Sequence, residues 1–268
     1  MVGTEPWEQR VKNRVEIERE YQLEKWGSLL VKVEESPWPL RLADLDLIMQ
    51  GGDELVICAD GADLFEMTAR DAHLRYRDFV ANILKDYLPA TALVELGAGY
   101  GSVIVDLARR PEFAGIPAFG LELTPAGTQL IKLMAAAENV SVTAAECDML
   151  ARNVTDAPVP AGSLIFTSYA AYYEPQLRKS FLDGLAAMRP RAVVLIEPCY
   201  EHCDDSTLLG LLRRRYIEVN DCNTNLATLI HQESEAGSVK ILDERKAAFG
   251  PNPLLAASVI VWEPAERS

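Results

Sequence analysis

Between Thr91 and Glu197 the chain alternates short apolar runs, glycine or polar turns, and longer amphipathic stretches. The runs at 91–96, 117–123, 140–144, 162–168 and 191–197 are too short for stable helices and predict strands. Stretches near 101–110, 125–137, 174–188 and 206–218 predict helices between and after them. A crossover helix between successive strands implies parallel pairing in a layered α/β fold. Past Asn220 the rhythm changes. Leu226–His231, Ser238–Leu242 and Leu255–Trp262 read as strands separated by turns alone, which predicts antiparallel additions to the sheet.

Before residue 91 the pattern is mainly helical. Residues 8–26 set Val11, Val15, Tyr21, Leu23 and Trp26 among many charges, as an amphipathic helix does. Residues 36–54 carry Pro37 and Pro39, then Leu42, Leu45, Leu47, Ile48 and Met49, and close on Gly51-Gly52, which predicts a second helix. A short strand follows at Glu54–Cys58. Ala72–Leu88 reads as a further helix, ended by Pro89. No internal repeat or low-complexity tract interrupts this order.

The chemistry concentrates at the first of the central strands. Ala92-Leu93-Val94-Glu95-Leu96 runs directly into Gly97-Ala98-Gly99-Tyr100-Gly101 and then a predicted helix, so glycines stand where a backbone can approach a ligand at the end of a parallel sheet. Acidic residues follow at later strand ends, in Leu121-Glu122-Leu123 and Cys147-Asp148-Met149. The dinucleotide pattern Gly-x-Gly-x-x-Gly would require glycine at 102, where the chain has Ser102.

In these residues the chain resembles the class I, Rossmann-like S-adenosylmethionine-dependent methyltransferases, over roughly residues 90–200. The resemblance implies a doubly wound, seven-stranded, mostly parallel α/β sheet with antiparallel C-terminal strands. Residues 90–268 would form this core, and residues 1–89 a mainly helical appendage. It also implies S-adenosyl-L-methionine as cofactor. Glu95 would then lie near the methionine ammonium, with Gly97, Ala98, Gly99 and Gly101 passing along the methionine and ribose. Glu122, beside Leu123, would accept from the ribose hydroxyls. Asp148 would meet the adenine amino group, with Cys147 or Met149 beside the ring. Thr167 and Tyr169, at the end of the fourth strand, would stand near the transferred methyl.

Composition narrows the partners. Of 268 residues 49% are apolar, enough for a full core, and 40 acidic against 26 basic residues give a net charge of −14. That excess opposes a phosphate backbone, so a small molecule or a peptide is expected and nucleic acid is not. Trp7 to Trp26 lacks the unbroken apolar core of a signal peptide, and no apolar stretch reaches membrane-spanning length. Five cysteines do not make a disulfide scaffold. A cytoplasmic protein that does not enter a membrane is the expectation.

The acceptor is less legible. An oxygen or nitrogen acceptor that keeps its proton needs a base, and the three histidines are His73, His202 and His231. His202, in Glu197-Pro198-Cys199-Tyr200-Glu201-His202-Cys203, follows the fifth strand and is the first candidate, with His73 and Tyr169 behind it. After the fourth strand the chain reads Thr167-Ser168-Tyr169-Ala170-Ala171-Tyr172, unlike the Asn/Asp-Pro-Pro-aromatic motif of amino-methylating nucleic-acid enzymes, and without the acidic metal ligand of catechol methyltransferases. No metal is expected, and Cys199, His202 and Cys203 lack a clean fourth ligand. The aromatics Trp7, Trp26, Trp38, Phe65, Tyr76 and Phe79 could wall a pocket. Arg70, Arg75 and Arg77 could hold an acidic substrate or form a solvated face. The appendage is expected to be a lid, a pocket wall or a homodimer surface. A peptide or protein carboxylate methyltransferase, an inactive interaction protein and a nucleotide-cofactor oxidoreductase are the competing readings.

Overall fold

The computed structural model describes residues 14–150 and 159–265. Trp7 and Val11 therefore lie outside the described residues. Seven strands form one sheet in the order β5-β4-β3-β6-β7-β9-β8. They are β3 (Leu93–Leu96), β4 (Ala118–Glu122), β5 (Val142–Glu146), β6 (Leu164–Ser168), β7 (Ala192–Glu197), β8 (Val239–Phe249) and β9 (Ala257–Pro264). The first five pair in parallel, whereas β9 joins β7 and β8 antiparallel, as the changed rhythm predicted. Every residue of β3 and β7 is buried, the mark of a sheet covered on both faces.

One face is covered by α4 (Ala69–Lys85), α5 (Ser102–Arg109) and α6 (Pro125–Ala137), whose Val80, Ile104 and Leu130 join the β3 and β6 side chains in one core. The other carries α7 (Lys179–Ala187) and α9 (Leu226–Glu235) through Phe181, Leu185, Leu226 and Ile230. Helix starts are chemically marked. Thr68, Thr124 and Thr207 each accept a backbone N–H in the first turn of α4, α6 and α8 (Leu208–Val219). Strand order reverses between β3 and β6, so a crevice opens beyond their carboxyl ends.

The appendage contains α1 (Arg14–Arg19), a π-helical turn at Glu20–Lys25, α2 (Trp26–Glu34) and α3 (Leu42–Gln50), then a hairpin of β1 (Leu55–Asp60) and β2 (Asp63–Thr68). Three expectations need correction. Leu226–His231 is the start of α9 and not a strand. Leu226, Ala227, Leu229 and Ile230 are buried at helical spacing, and a short apolar run does not by itself separate the two periods. The helix expected over 36–54 is confined to Leu42–Gln50, because Gly51 leaves it at φ +94°. The lone strand at Glu54–Cys58 is one arm of a hairpin, whose turn at Asp60-Gly61 was the available signal.

Candidate active site

The crevice is a cavity of about 600 Å³, lined from the sheet by Glu95, Gly97, Ala98, Gly99, Glu122, Leu123, Cys147, Asp148, Met149 and Tyr169. Most of the residues singled out in the sequence thus converge on one space. His73 lines it from α4, and Ile17, Tyr21, Lys25 and Trp26 cover it from the appendage. Gly101, Thr167 and His202 do not line it.

Gly97 turns the chain out of β3 at φ +71°, and a Cβ there would lie 2.5 Å from the Ala170 Cβ. Only glycine meets both conditions without displacing the loop after β6. Gly101 instead spaces helices, since its Cβ would press on Val105 and Ile131. Thr167 is fully buried one residue short of the β6 end.

Two buried carboxylates flank the turn. Glu95 accepts the Ile104 N–H at 2.9 Å. Glu122 accepts from the Gly99 N–H at 3.0 Å and from the Thr124 hydroxyl at 3.1 Å. Burial pushes the Glu95 carboxyl well above the usual carboxylate range, and the neighbouring Glu122 adds to the shift. Burial raises Glu122 as well, against the hydrogen bonds it receives. Burial pushes the Cys147 thiol up to about 11, helped by Glu122. The Asp148 carboxylate accepts from the Leu150 N–H at 3.0 Å, a local turn that fixes its position at the cavity wall.

The three catalytic candidates separate. His73 stands 2.8 Å from the Ser102 hydroxyl, and its Nε2 accepts from Arg77 Nε at 3.1 Å. The same Nε2 lies 3.4 Å from the Asp46 carboxylate, so this nitrogen is engaged by Ser102, Arg77 and Asp46. Arg77 is also paired with Asp46, which takes the Tyr100 hydroxyl at 2.9 Å. Arg77 is therefore neither a substrate anchor nor a solvated residue, while Arg70 and Arg75 pair with Asp53 and Asp60. Tyr169 lies at φ +51°, with its hydroxyl donating to the Leu255 carbonyl at 2.7 Å. His202 lies away from both, in a shallower cavity with His231, where both rings contact Glu244. Of the candidate pocket aromatics, Trp26 and Tyr76 line the main cavity, whereas Trp38 is exposed and Phe65 and Phe79 pack against the core.

Glu197 was not singled out by the sequence. At the end of β7, fully buried, its carboxylate accepts from the N–H groups of Ala170, Ala171 and Tyr172 at 3.0–3.3 Å. It thereby sets the loop carrying Tyr169, Tyr172 and Tyr173. Burial pushes it up to about 6, the hydrogen bonds notwithstanding. Among the described residues, no group of three or more His, Cys, Asp or Glu side chains is placed to hold a metal ion.

No family model matches the chain, and no curated protein does. Solved structures do match. Magnesium protoporphyrin IX methyltransferase from Synechocystis PCC 6803, solved with bound SAH, superimposes with a TM-score of 0.58 over 94% of this chain and 100% of its own, at 11% identity. The fold is that of the class I methyltransferases. A protein named as a sarcosine dimethylglycine methyltransferase, from Galdieria sulphuraria, shares this methyltransferase fold at TM-score 0.54 and 14% identity, over 85% of this chain and 99% of its own. The small RNA methyltransferase HEN1 shares it at TM-score 0.52 and 14% identity, over 73% of this chain and 25% of its own. The methyltransferase fold thus accommodates acceptors of very different size, and the acceptor must be argued from the cavity itself.

Proposed function

We propose that the chain is a methyltransferase that uses S-adenosylmethionine to methylate an oxygen or nitrogen of a small metabolite. The observation that carries this reading is the pair of buried carboxylates, Glu95 and Glu122, on either side of a glycine turn at the switch point of the sheet. Uncompensated, two such groups repel each other and resist ionising. A ligand bearing an ammonium and a sulfonium suits them, and the pyrophosphate of a dinucleotide does not. When bound, that cofactor supplies a methyl group on positively charged sulfur.

The chain's own residues then have distinct tasks. Gly97 and Gly99 let the backbone run along the ligand, Glu95 faces its ammonium, and Glu122 takes the ribose hydroxyls. Asp148 receives the adenine amino group between Cys147 and Met149. Tyr169 and His73 border the acceptor, with Arg77 and Ser102 holding the His73 ring in place through its Nε2. His202 lines the second cavity with His231 and Glu244, not this one, and is not part of this assignment. Of residues 1–89, the described part from residue 14 onward acts as a cover on the core drawn from residues 90–268.

A small acceptor follows from what surrounds the cavity. Lys25 is the one lysine or arginine lining it among the described residues, which is poor provision for a phosphate backbone. No described helix is long and apolar enough to cross a membrane. The five cysteines are unpaired and buried, which supports a reducing, cytoplasmic setting. The test is transfer of labelled methyl from S-adenosylmethionine to pools of small hydroxyl, amine and carboxylate compounds. Label in a small product supports the reading, and label found only in RNA or in none of the pools counts against it.

Binding should also move protons. Because Glu95 and Glu122 are both raised in the free protein, a cationic ligand lowers them and drives protons off, so affinity rises with pH. Calorimetric titration with S-adenosylmethionine in two buffers of different ionisation enthalpy, at mildly acidic pH, should report net proton release. Heats independent of buffer would contradict it.

A further inference from the structure

Two helices each carry a charge inside an otherwise apolar stripe. On α3 the buried face is Leu42 and Leu45, with Met49 packed against the core a turn later, and Asp46 stands on that face where the helical period asks for a hydrophobe. On α4 the same is true of Arg77, 3% exposed beside the buried Tyr76 and Val80. The start of α3 is fixed to the core, since the Leu42 N–H donates to the Glu138 carboxylate at the end of α6 at 2.9 Å.

Asp46 and Arg77 meet, and a buried ion pair is by itself weak evidence of anything beyond packing. The Asp46 carboxylate does more, because its two oxygens are divided. Oδ2 takes the Arg77 guanidinium. Oδ1 takes the Tyr100 hydroxyl at 2.9 Å and lies 3.4 Å from both the Ser102 hydroxyl and the His73 Nε2. Tyr100, Ser102 and His73 all line the main cavity, whereas neither Asp46 nor Arg77 does. Burial works against its charge, yet the hydrogen bond with His73 and the Arg77 guanidinium hold the Asp46 carboxyl below the usual range. Gly97, Gly99 and Gly101 all stand at positive φ. A turn of such permissive residues gains rigidity from the side chains beside them, and Tyr100 and Ser102 flank the last of the three.

We propose that Asp46 is a positioning residue of the cofactor site. From the appendage it sets the Tyr100 and Ser102 flanks of the glycine turn against His73, so that the turn holding the ligand and the histidine bordering the acceptor keep one spacing. This rests on the cofactor reading above. A hydrophobe at position 46 would fill the α3 stripe equally well, but it could not hold these three side chains.

Calorimetric titration with S-adenosylhomocysteine, which needs no acceptor substrate, tests this in a cycle of Asp46→Ala, Tyr100→Phe and the double variant, each shown to be folded at the temperature used. Tyr100→Phe keeps the ring against Trp26 and removes only the hydroxyl. Asp46→Ala should weaken binding about tenfold and Tyr100→Phe about threefold, and the double variant should be no weaker than Asp46→Ala. Residues that act through one another share a loss, whereas a role confined to stability leaves the affinity of the folded protein where it was. Unchanged affinity in Asp46→Ala, or a double variant weakened by the product of the two, about thirtyfold, overturns the assignment of Asp46 alone. A wild-type protein that does not bind S-adenosylhomocysteine overturns the cofactor reading, and this assignment with it. Should Asp46→Ala fail to fold with Arg77 left uncompensated, Asp46→Asn, whose single amide oxygen cannot serve both Arg77 and Tyr100, takes its place in the same cycle with the same outcomes.

Discussion

Glu122→Ala is expected to weaken S-adenosylmethionine binding by two to three orders of magnitude, or about 3–4 kcal/mol, in a calorimetric titration. Two sources contribute. The carboxylate that would take the ribose hydroxyls is lost, and a hydrogen bond to a charged group contributes about 1.5–3 kcal/mol. The side chain also fixes the glycine turn through the Gly99 N–H and the helix start through Thr124, so its removal loosens the cradle itself. Glu122→Gln separates the two, since an amide oxygen can still accept from Gly99 while the charge is gone. It should fall between wild type and alanine. Undiminished affinity in Glu122→Ala would remove Glu122 from the binding site.

The second large effect is on stability. Glu197→Ala leaves three N–H groups, those of Ala170, Ala171 and Tyr172, without their shared acceptor in a buried loop. Unsatisfied buried donors of this kind cost about 1–3 kcal/mol each before relaxation, so a loss of about 3 kcal/mol is expected by urea unfolding at neutral pH. Glu197 also carries its own pH signature. Its ordinary value is 4.5 and burial holds it at about 6 in the folded protein. A carboxyl raised on folding favours the folded state while protonated, so this contribution, about 2 kcal/mol, is lost as pH rises from about 4.5 through 6. The alanine variant lacks that step. Equal stabilities, or a variant whose pH dependence over this interval matches the wild type, would contradict the role given to Glu197.

The legible part of this molecule was the part whose chemistry is local. An apolar strand, a glycine turn and an acidic strand end each announce themselves within a few residues, and the five parallel strands fell where those runs stand. What escaped depends on contacts between distant segments. Glu197 reads as an ordinary strand end until β6 and β7 pair and bring the Ala170–Tyr172 backbone onto it. His202 stood at the correct edge of the sheet by sequence, but β8 lies there too and Glu244 captures its ring. The Leu226 segment shows how a short apolar run leaves helix and strand unresolved, because its polar continuation through Glu235 decides the period only once the buried face is known. Trp26 reads from the sequence as a candidate pocket aromatic, yet the segment that brings its ring and that of Tyr21 to one cavity contains a π-turn that a 3.6-residue periodicity does not anticipate.

The appendage reaches the cavity. Tyr21 meets Tyr173 at 5.5 Å and Trp26 packs against Tyr100, so the cavity wall includes residues that precede the glycine motif by some seventy positions in sequence. Beside this cavity Glu95 and Glu122 are themselves buried, and that burial is what raises both carboxyls.

The central claim is that the crevice binds S-adenosylmethionine, and calorimetric titration of the purified protein with S-adenosylmethionine, NAD and NADP in parallel tests it most directly. Saturable binding of S-adenosylmethionine alone is the predicted result. Binding of either dinucleotide in its place, or no binding by a protein shown to be folded, would contradict it.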